Sequence, residues 1–207
     1  MTDTDVVGVV LAGGLSRRMG GGDKALLELG GKPILAHAIQ RLAPQVGPMV
    51  LNANGNPDRF AEFDLPVAAD PVEGFAGPLA GVLAGLDWAH ANHPGSEWVA
   101  TVASDTPFFP ADLVARLREA VAAQSSDMAC AASGGRNHPV FGLWPVALRE
   151  DLRRAMVDEE IRKVDIWTAR YALCVASFAD HPFDPFFNAN RPEDLAHAEA
   201  ILSEVVL

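Results

Sequence analysis

VVGVVLAGGLSRRMGGGDK, from Val6 to Lys24, is the stretch whose reading decides the fold. Val6, Val7, Val9, Val10 and Leu11 make a short, β-branched apolar run, the mark of a buried strand in a parallel sheet. The loop after it carries glycines at 13, 14, 20, 21 and 22, with Ser16, Arg17, Arg18 and Lys24 set among them. Glycine lets backbone N–H groups approach an anion that a Cβ would hold off, and the cations match its charge. The outline is that of a phosphate site, against the alternative of an ordinary surface loop. Two arginines and a lysine gathered here in an acidic protein favour the first reading. Two common phosphate binders are excluded by spacing. There is no G-x-x-x-x-G-K-[ST], and no G-x-G-x-x-G between the strand and a helix.

The bulk properties narrow the class. With 207 residues, 49% of them hydrophobic and 21% charged, the chain suits one globular domain with a sizeable core. A net charge of -11 opposes non-specific nucleic-acid binding, which needs a basic face, and requires any anion site to gather its cations locally. Cys130 and Cys174, the only two cysteines, sit in apolar stretches without Cys-x-x-Cys spacing, so neither zinc nor a disulfide framework is implied. The acidic start MTDTD does not read as a signal peptide, and no apolar run is long enough to cross a membrane. A cytoplasmic protein is expected.

Outward from the first loop, Gly30 to Pro33 reads as a turn and Ile34 to Leu42 as a helix with an apolar stripe. Met49 to Leu51 and Val67 to Ala69 read as short strands. Leu79 to Asn92 is predicted helical, Trp98 to Ala103 a buried strand, and Ala111 to Ala123 an amphipathic helix. This alternation predicts an open α/β, mostly parallel sheet with helices on both faces. Ligands in such sheets bind beyond the carboxyl ends of the strands, where the loops at Ala12 to Lys24, Asn52, Asp70 and Asp105 all begin. Further on, Met128 to Ala132 and Pro139 to Trp144 read as strands around a loop from Ser133 to His138. A helix from about Ala147 to Val157, a strand from Tyr171 to Phe178 and a closing helix from Pro192 to Val206 follow; Ile166 to Ala169 has no settled form.

Several polar residues fall where chemistry is expected. Asp105 ends an apolar strand and precedes Thr-Pro, so its carboxylate either ligates a hard cation such as Mg²⁺, or initiates a turn or caps the helix that follows. Asn52 and Asp70 sit in turn-like contexts, Asn-Ala-Asn-Gly and Asp-Pro. Gly77-Pro78-Leu79-Ala80-Gly81 opens a helix whose N-terminus suits an anion, although glycine and proline are also plain start signals. Arg136, His138, Asn188, Asn190 and Arg191 lie in predicted loops. No Ser/His/Asp or Cys/His set has the spacing of a nucleophilic enzyme.

Residues 11–24, L-A-G-G-x-S-x-R-M-G-x-x-D-K, followed by A-L-L-E-L-G-G-K-P, resemble the Rossmann-like nucleotidyltransferases, and most closely the molybdenum cofactor guanylyltransferases. The resemblance implies a three-layer Rossmann-like α/β fold forming a single domain over 1–207, with a nucleotide half to about 110 and an acceptor half beyond it. It implies that Leu11, Ala12, Gly13 and Gly14 wrap the GTP triphosphate and that Lys24 touches its phosphates. Asp105, in a D-x-P context, would hold Mg²⁺. The N-A-N after the second strand and D-x-x-x-x-x-x-G-P-L-A-G assign Asn52 and Asp70 to the nucleotide. Asp70 could accept from guanine or from ribose hydroxyls. His138-Pro139 and Asn188-Ala189-Asn190 match the acceptor-side motifs. The family usually has threonine where Arg191 stands, so Asn190 either contacts the acceptor or caps the last helix with Glu193 completing a capping box.

The implied reaction is attack of the molybdopterin phosphate on the α-phosphorus of GTP, giving the guanine dinucleotide cofactor and pyrophosphate. It needs alignment and charge stabilisation, for which Arg18, Lys24 and Asp105 are the catalytic candidates and Arg17 a lesser one. Transfer of CMP to the same acceptor, or of a nucleotide to a sugar phosphate, is the related alternative. A non-catalytic nucleotide-binding carrier is the alternative of another class, opposed by Lys24 and Asp105. The partners implied are GTP, molybdopterin or molybdenum cofactor, molybdoenzyme-specific chaperones and other cofactor-biosynthesis proteins, with neither nucleic acid nor membrane among them.

Overall fold

The computed structural model describes residues 5–13, 24–72, 74, 77–189 and 192–205, with backbone alone at 24, 192, 204 and 205. The chain runs through β1 (Val6–Leu11), the short strands β2 (Glu28–Leu29) and β3 (Lys32–Pro33), α1 (Ile34–Leu42), β4 (Met49–Asn52), β5 (Val67–Ala68), α2 (Pro78–Asn92) and β6 (Trp98–Ala103). It continues through α3 (Leu113–Gln124), β7 (Met128–Ser133), β8 (Arg136–Pro145), α4 (Arg149–Val157), α5 (Val164–Thr168), β9 (Leu173–Phe178) and α6 (Pro192–Val205). Seven strands form one sheet in the order β5-β4-β1-β6-β8-β7-β9. β5, β4, β1 and β6 are mutually parallel, β8 runs antiparallel to both β6 and β7, and β7 pairs in parallel with β9.

Alternation along β1 explains the three layers. Val6 and Val10 face a core shared with Leu35, Ala38 and Leu42 of α1 and Leu113, Val114 and Leu117 of α3. Val7 and Val9 face the other core, with Leu79, Leu83 and Leu86 of α2, Leu152 and Met156 of α4, and Trp167 of α5. A strand buried on both faces needs apolar residues at every position, and this is why β1 reads as a continuous run. β1 is also where the topology reverses. The chain goes from β1 outward to β4 and β5, then returns through α2 to β6 on the opposite side of β1. The crevice at such a reversal is the usual ligand site of an open α/β sheet.

The structure departs from the sequence expectation in four places. The turn at Gly30-Gly31 joins a two-stranded hairpin, β2 with β3, too short to register as periodicity. The expected loop from Ser133 to His138 is mostly strand. Its only turn is Gly134-Gly135, both at positive φ (53 and 75), the two-residue geometry whose twist suits an antiparallel hairpin and which glycine adopts without strain. That turn sends β8 back between β6 and β7 and makes it the one antiparallel strand of the large sheet. The segment without a settled form is α5, anchored by the fully buried Trp167. Tyr171 precedes β9 rather than opening it.

A third, smaller cluster joins distant parts of the chain. Leu29 and Ile34 from the hairpin region pack with Phe108, Ala189, and Ala198 and Ile201 of α6. The backbone N–H of Gly30 donates to Glu199 Oε1 at 2.8 Å, so α6 lies against the segment that follows Lys24. Among the described residues, no helix is long and apolar enough to cross a membrane.

Candidate active site

The parallel strands deliver their carboxyl ends to one rim, and backbone hydrogen bonds continue the ladder past them. Ala12 N–H donates to the Asn52 carbonyl at 2.8 Å, Ala53 N–H to that of Ala68 at 3.1 Å, and Ser104 N–H to that of Leu11 at 3.1 Å. Leu11, Ala12 and Gly13 are therefore held between the Asn52 and Ser104 turns. Gly14 and Arg18 lie outside the described residues. Lys24 opens a 3-10 turn, Lys24–Leu26, and only its backbone is described.

Asn52 is 3% exposed and its amide nitrogen is fully engaged. Nδ2 donates to the Ala68 carbonyl at 3.1 Å and to Asp70 Oδ1 at 3.0 Å. Asn54 grips Asp70 from the other side. Its Nδ2 donates to Asp70 Oδ2 at 2.7 Å, and its Oδ1 accepts from the Asp70 N–H at 2.9 Å. Each Asp70 oxygen accepts one of these hydrogen bonds, and a carboxylate oxygen has room for another from a ligand. Two neighbouring strands, β4 and β5, thus fix the orientation of one carboxylate. Asn54 was not among the sequence candidates, although it stands in the Asn-Ala-Asn-Gly string. What its side chain holds depends on the pairing of β4 with β5, which a local reading does not contain.

Helix α2 comes close enough to take part. A Cβ on Gly81 would lie 2.5 Å from Asn52 Oδ1 and 2.6 Å from Leu11 Cδ2, and one on Gly85 would lie 2.5 Å from Val9 Cγ2. Glycine at these positions lets the helix sit directly on β1 and the Asn52 side chain. The α2 N-terminus begins at Pro78 with Gly77 as its cap and no side-chain capping bond.

Asp105 follows β6 on the same rim, partly exposed. The segment after it is pinned from α1 and the turn that follows that helix. Arg41 Nε donates to the Phe109 carbonyl. Gln45 Nε2 donates to the Pro110 carbonyl at 3.2 Å, and Gln45 Oε1 accepts from Val114 N–H at 3.0 Å. The other side is closed by the C-terminal part of the chain. Ala189 N–H donates to the Asp105 carbonyl at 2.8 Å, and the Thr106 hydroxyl donates to Asn188 Oδ1 at 2.8 Å. Asn188 therefore stands beside the Asp105 turn despite lying 82 residues from Thr106 in sequence. Asn190 and Arg191 are outside the described residues, so the cap of α6 is not described; that helix does carry Glu193 and Asp194 in its first turn, the sign its dipole favours.

His138 lies in β8, 9% exposed, not in a loop. Its Nε2 is 2.7 Å from Ser133 Oγ, and Ser133 Oγ donates to Asp184 Oδ1 at 2.7 Å. Since the single serine hydrogen goes to the carboxylate, Nε2 carries the hydrogen and donates to Ser133. The serine sits between histidine and carboxylate, which is not the wiring of a nucleophilic triad. The imidazole stacks on Phe186 with centroids 4.4 Å apart. Burial pushes its pKa below the ordinary 6.5, against the opposing pull of Asp184 and with a smaller push from Arg136. His138 meets the 184–189 segment at Phe186 and, through Ser133, at Asp184, whereas Asn188, within that segment, meets Thr106.

No group of three His, Cys, Asp or Glu side chains is poised to hold a metal among the described residues. A cation at this rim would take Asp105 together with phosphate oxygens and water among its ligands. That donor set is poor for zinc and suits Mg²⁺, which commonly binds through one or two carboxylates plus phosphate oxygens.

Comparison with known proteins adds three findings. The family model for the MobA-like NTP transferase domain matches residues 8–172. The molybdenum cofactor guanylyltransferase of Rhodopseudomonas palustris (strain BisB5) is 60% identical over 193 residues, 93% of this chain and 92% of that protein; the protein of the same name from Bradyrhizobium sp. (strain ORS 278) is 58% identical over 200 residues, 97% and 94%. Among solved structures, the molybdopterin-guanine dinucleotide biosynthesis protein A of Archaeoglobus fulgidus superposes with a TM-score of 0.71 at 23% identity, covering 96% of this chain and 99% of that one, a likeness of fold.

Proposed function

This chain belongs to the MobA-like NTP transferase family and, within it, to the molybdenum cofactor guanylyltransferases, and on that premise we propose how its residues divide the reaction. The activity is transfer of GMP from GTP to the phosphate of molybdopterin. The phosphate oxygen forms a bond to the α-phosphorus, the bond from that phosphorus to the bridging oxygen breaks, and pyrophosphate leaves with that electron pair.

The observation that carries the residue assignment is the convergence of three loops on one rim, with the Asp105 turn tied to Asn188. Asp70, clamped by Asn52 and Asn54, takes the donor groups of the base or ribose. Asn52 acts through Asp70 rather than by its own amide nitrogen, both hydrogens of which are engaged. Leu11, Ala12, Gly13 and Gly14 line the triphosphate, where backbone N–H groups and the Arg18 and Lys24 cations offset charge on the transferring group and on pyrophosphate. Asp105 would hold Mg²⁺, which would supply charge neutralisation at the phosphates. Asn188, with His138 and Asn190 of the same acceptor half, orients molybdopterin. The nucleophile needs no general base near neutral pH, because the second pKa of a phosphate monoester is about 6. The whole chain acts as one domain, since the acceptor-side segment is bonded directly to the metal turn.

The test is pyrophosphate release from the purified protein with molybdopterin, Mg²⁺ and either GTP or CTP. Release with GTP, requiring both acceptor and metal, is expected. Release with CTP alone would move the reaction to cytidylyl transfer, and binding of GTP without release under any condition would leave a carrier.

A further inference from the structure

The proposed reaction uses His138 but gives Ser133 and Asp184, which are wired to it, no part. Asp184 Oδ1 accepts from the Ser133 hydroxyl at 2.7 Å and from the Phe186 N–H at 3.0 Å. One carboxylate oxygen thus holds both the serine and the turn that lays Phe186 on the His138 imidazole, with centroids 4.4 Å apart. Phe141 meets the same ring edge-on at 6.5 Å. Because the serine hydrogen goes to Asp184, Ser133 can only accept from His138, and the ring is held with its hydrogen on Nε2. The other ring nitrogen, Nδ1, is then a hydrogen-bond acceptor. Among the described residues, His138 makes no side-chain hydrogen bond besides the one to Ser133. No buried side-chain nitrogen or oxygen among them lacks a partner, so Nδ1 reaches the surface.

We infer that Ser133 and Asp184 are positioning residues that lock His138 with its hydrogen on Nε2, so that Nδ1 accepts a hydrogen bond from an N–H group of the acceptor's pterin ring. This rests on the acceptor role proposed for His138 and adds which part of the acceptor it meets. A pterin presents an exocyclic amine and ring N–H groups. The phosphate of the same molecule, with a second pKa of about 6, presents mostly bare oxygens near neutral pH. A lone pair attracts the first and repels the second. To meet the phosphate the imidazole would have to be protonated, and burial against Phe141 and Phe186 opposes that charge. Arg136, on the same strand, adds to the opposition, while Asp184 pulls the other way and is outweighed. Nor does the transfer ask His138 for a base, since the attacking phosphate is already ionised.

The free protein tests the lock without any ligand. Long-range nitrogen–proton NMR of protein labelled with ¹⁵N-histidine reads the tautomer at neutral pH, the His138 signals being those lost in His138→Gln. Wild type is expected to show a hydrogen on Nε2 and none on Nδ1. Ser133→Ala and Asp184→Ala should each admit both neutral tautomers, and Ser133→Thr, which keeps the hydroxyl, should restore the single form. Molybdopterin added anaerobically should then shift the Nδ1 signal while the ring stays neutral. His138→Gln and Ser133→Ala should each weaken molybdopterin binding by about 5-fold, the scale of one neutral hydrogen bond, with the Kd for GTP within about 2-fold of wild type. A hydrogen on Nδ1 in the free protein, or the single Nε2–H form persisting in folded Ser133→Ala, overturns the lock. An imidazolium in the complex moves the contact to the phosphate, and an unshifted Nδ1 removes it; either overturns the pterin contact. If His138→Gln binds molybdopterin as wild type does, the acceptor role of His138 itself falls, whatever the tautomer of the free protein.

Discussion

Replacing Asn52 by aspartate changes one buried NH₂ group into a carboxylate oxygen and leaves the side-chain volume almost untouched. In the native protein Nδ2 donates to the Ala68 carbonyl and to Asp70 Oδ1, at 3.1 and 3.0 Å, from a side chain that is 3% exposed. In Asn52→Asp both donors vanish, and an anionic oxygen faces a carbonyl and a second carboxylate across about the same distances. Two unit charges roughly 3 Å apart repel by about 5 kcal/mol at an effective dielectric near 20. The protein has a second way out, which is to keep the introduced carboxyl protonated. From an ordinary pKa of about 3.9, that costs ~5.5 kcal/mol at pH 8 and only ~1.5 kcal/mol at pH 5. The smaller cost governs at each pH. Stability is expected to fall by about 3–5 kcal/mol at pH 8 and by about 1–2.5 kcal/mol at pH 5. The sign follows from linkage. The introduced group titrates higher when folded than when unfolded, so the folded state binds more protons and the variant recovers relative to wild type as pH falls towards 3.9. Urea denaturation of both proteins at pH 8 and pH 5 reads this directly. A loss below about 0.5 kcal/mol at pH 8, or one that does not shrink at pH 5, would refute the Asn52–Asp70 arrangement.

Gly81→Ala sets helix propensity against packing: the exchange is worth about 1 kcal/mol to the helix, but the new Cβ lies 2.5 Å from Asn52 Oδ1 and costs roughly 1–3 kcal/mol in overpacking. Thermal or urea unfolding should show no net stabilisation, and the GTP KM should rise because Asn52 must move; a more stable variant with an unchanged KM would contradict the close approach. His138 titrates lower in the folded chain than its ordinary 6.5, so its neutral form contributes stability that is present above 6.5 and lost as pH falls through the folded value. The stability of His138→Gln, followed from pH 8 to pH 5, should fall less steeply than that of wild type, and parallel curves would remove the burial argument. Asp105→Ala and Lys24→Ala should each leave a folded chain whose transfer rate is ~10²-fold lower or worse. Near wild-type turnover in either would cancel its role.

The sequence made the first half of the fold legible because each element there declares itself locally. β1 is apolar at nearly every position, α1 carries a stripe, and Asp105 and Asp70 follow short apolar runs at strand ends. The second half was less legible, for reasons that are also physical. β8 is read as loop at His138 because its outward residues are polar and its identity as strand depends on the Gly134-Gly135 turn and on β6 alongside. The hairpin of β2 and β3 has too few residues for any period to show. At the site, the residue types were readable but their partners were not. Thr106 and Asn188 meet across 82 residues of sequence, and Asn54 finds Asp70 only because β4 and β5 pair. The Ser133–His138–Asp184 trio likewise forms only when the 184–189 segment closes over the β7–β8 hairpin. Local patterns report what a residue can do; the tertiary fold decides what it faces.

The most direct measurement is a structure of this chain with Mg²⁺ and a non-reactive GTP analogue. The account predicts the cation at about 2.1 Å from an Asp105 oxygen, the triphosphate against the loop from Leu11 to Lys24, and an Asp70 oxygen on the base or ribose. A nucleotide bound away from this rim, or a cation held without Asp105, would contradict it.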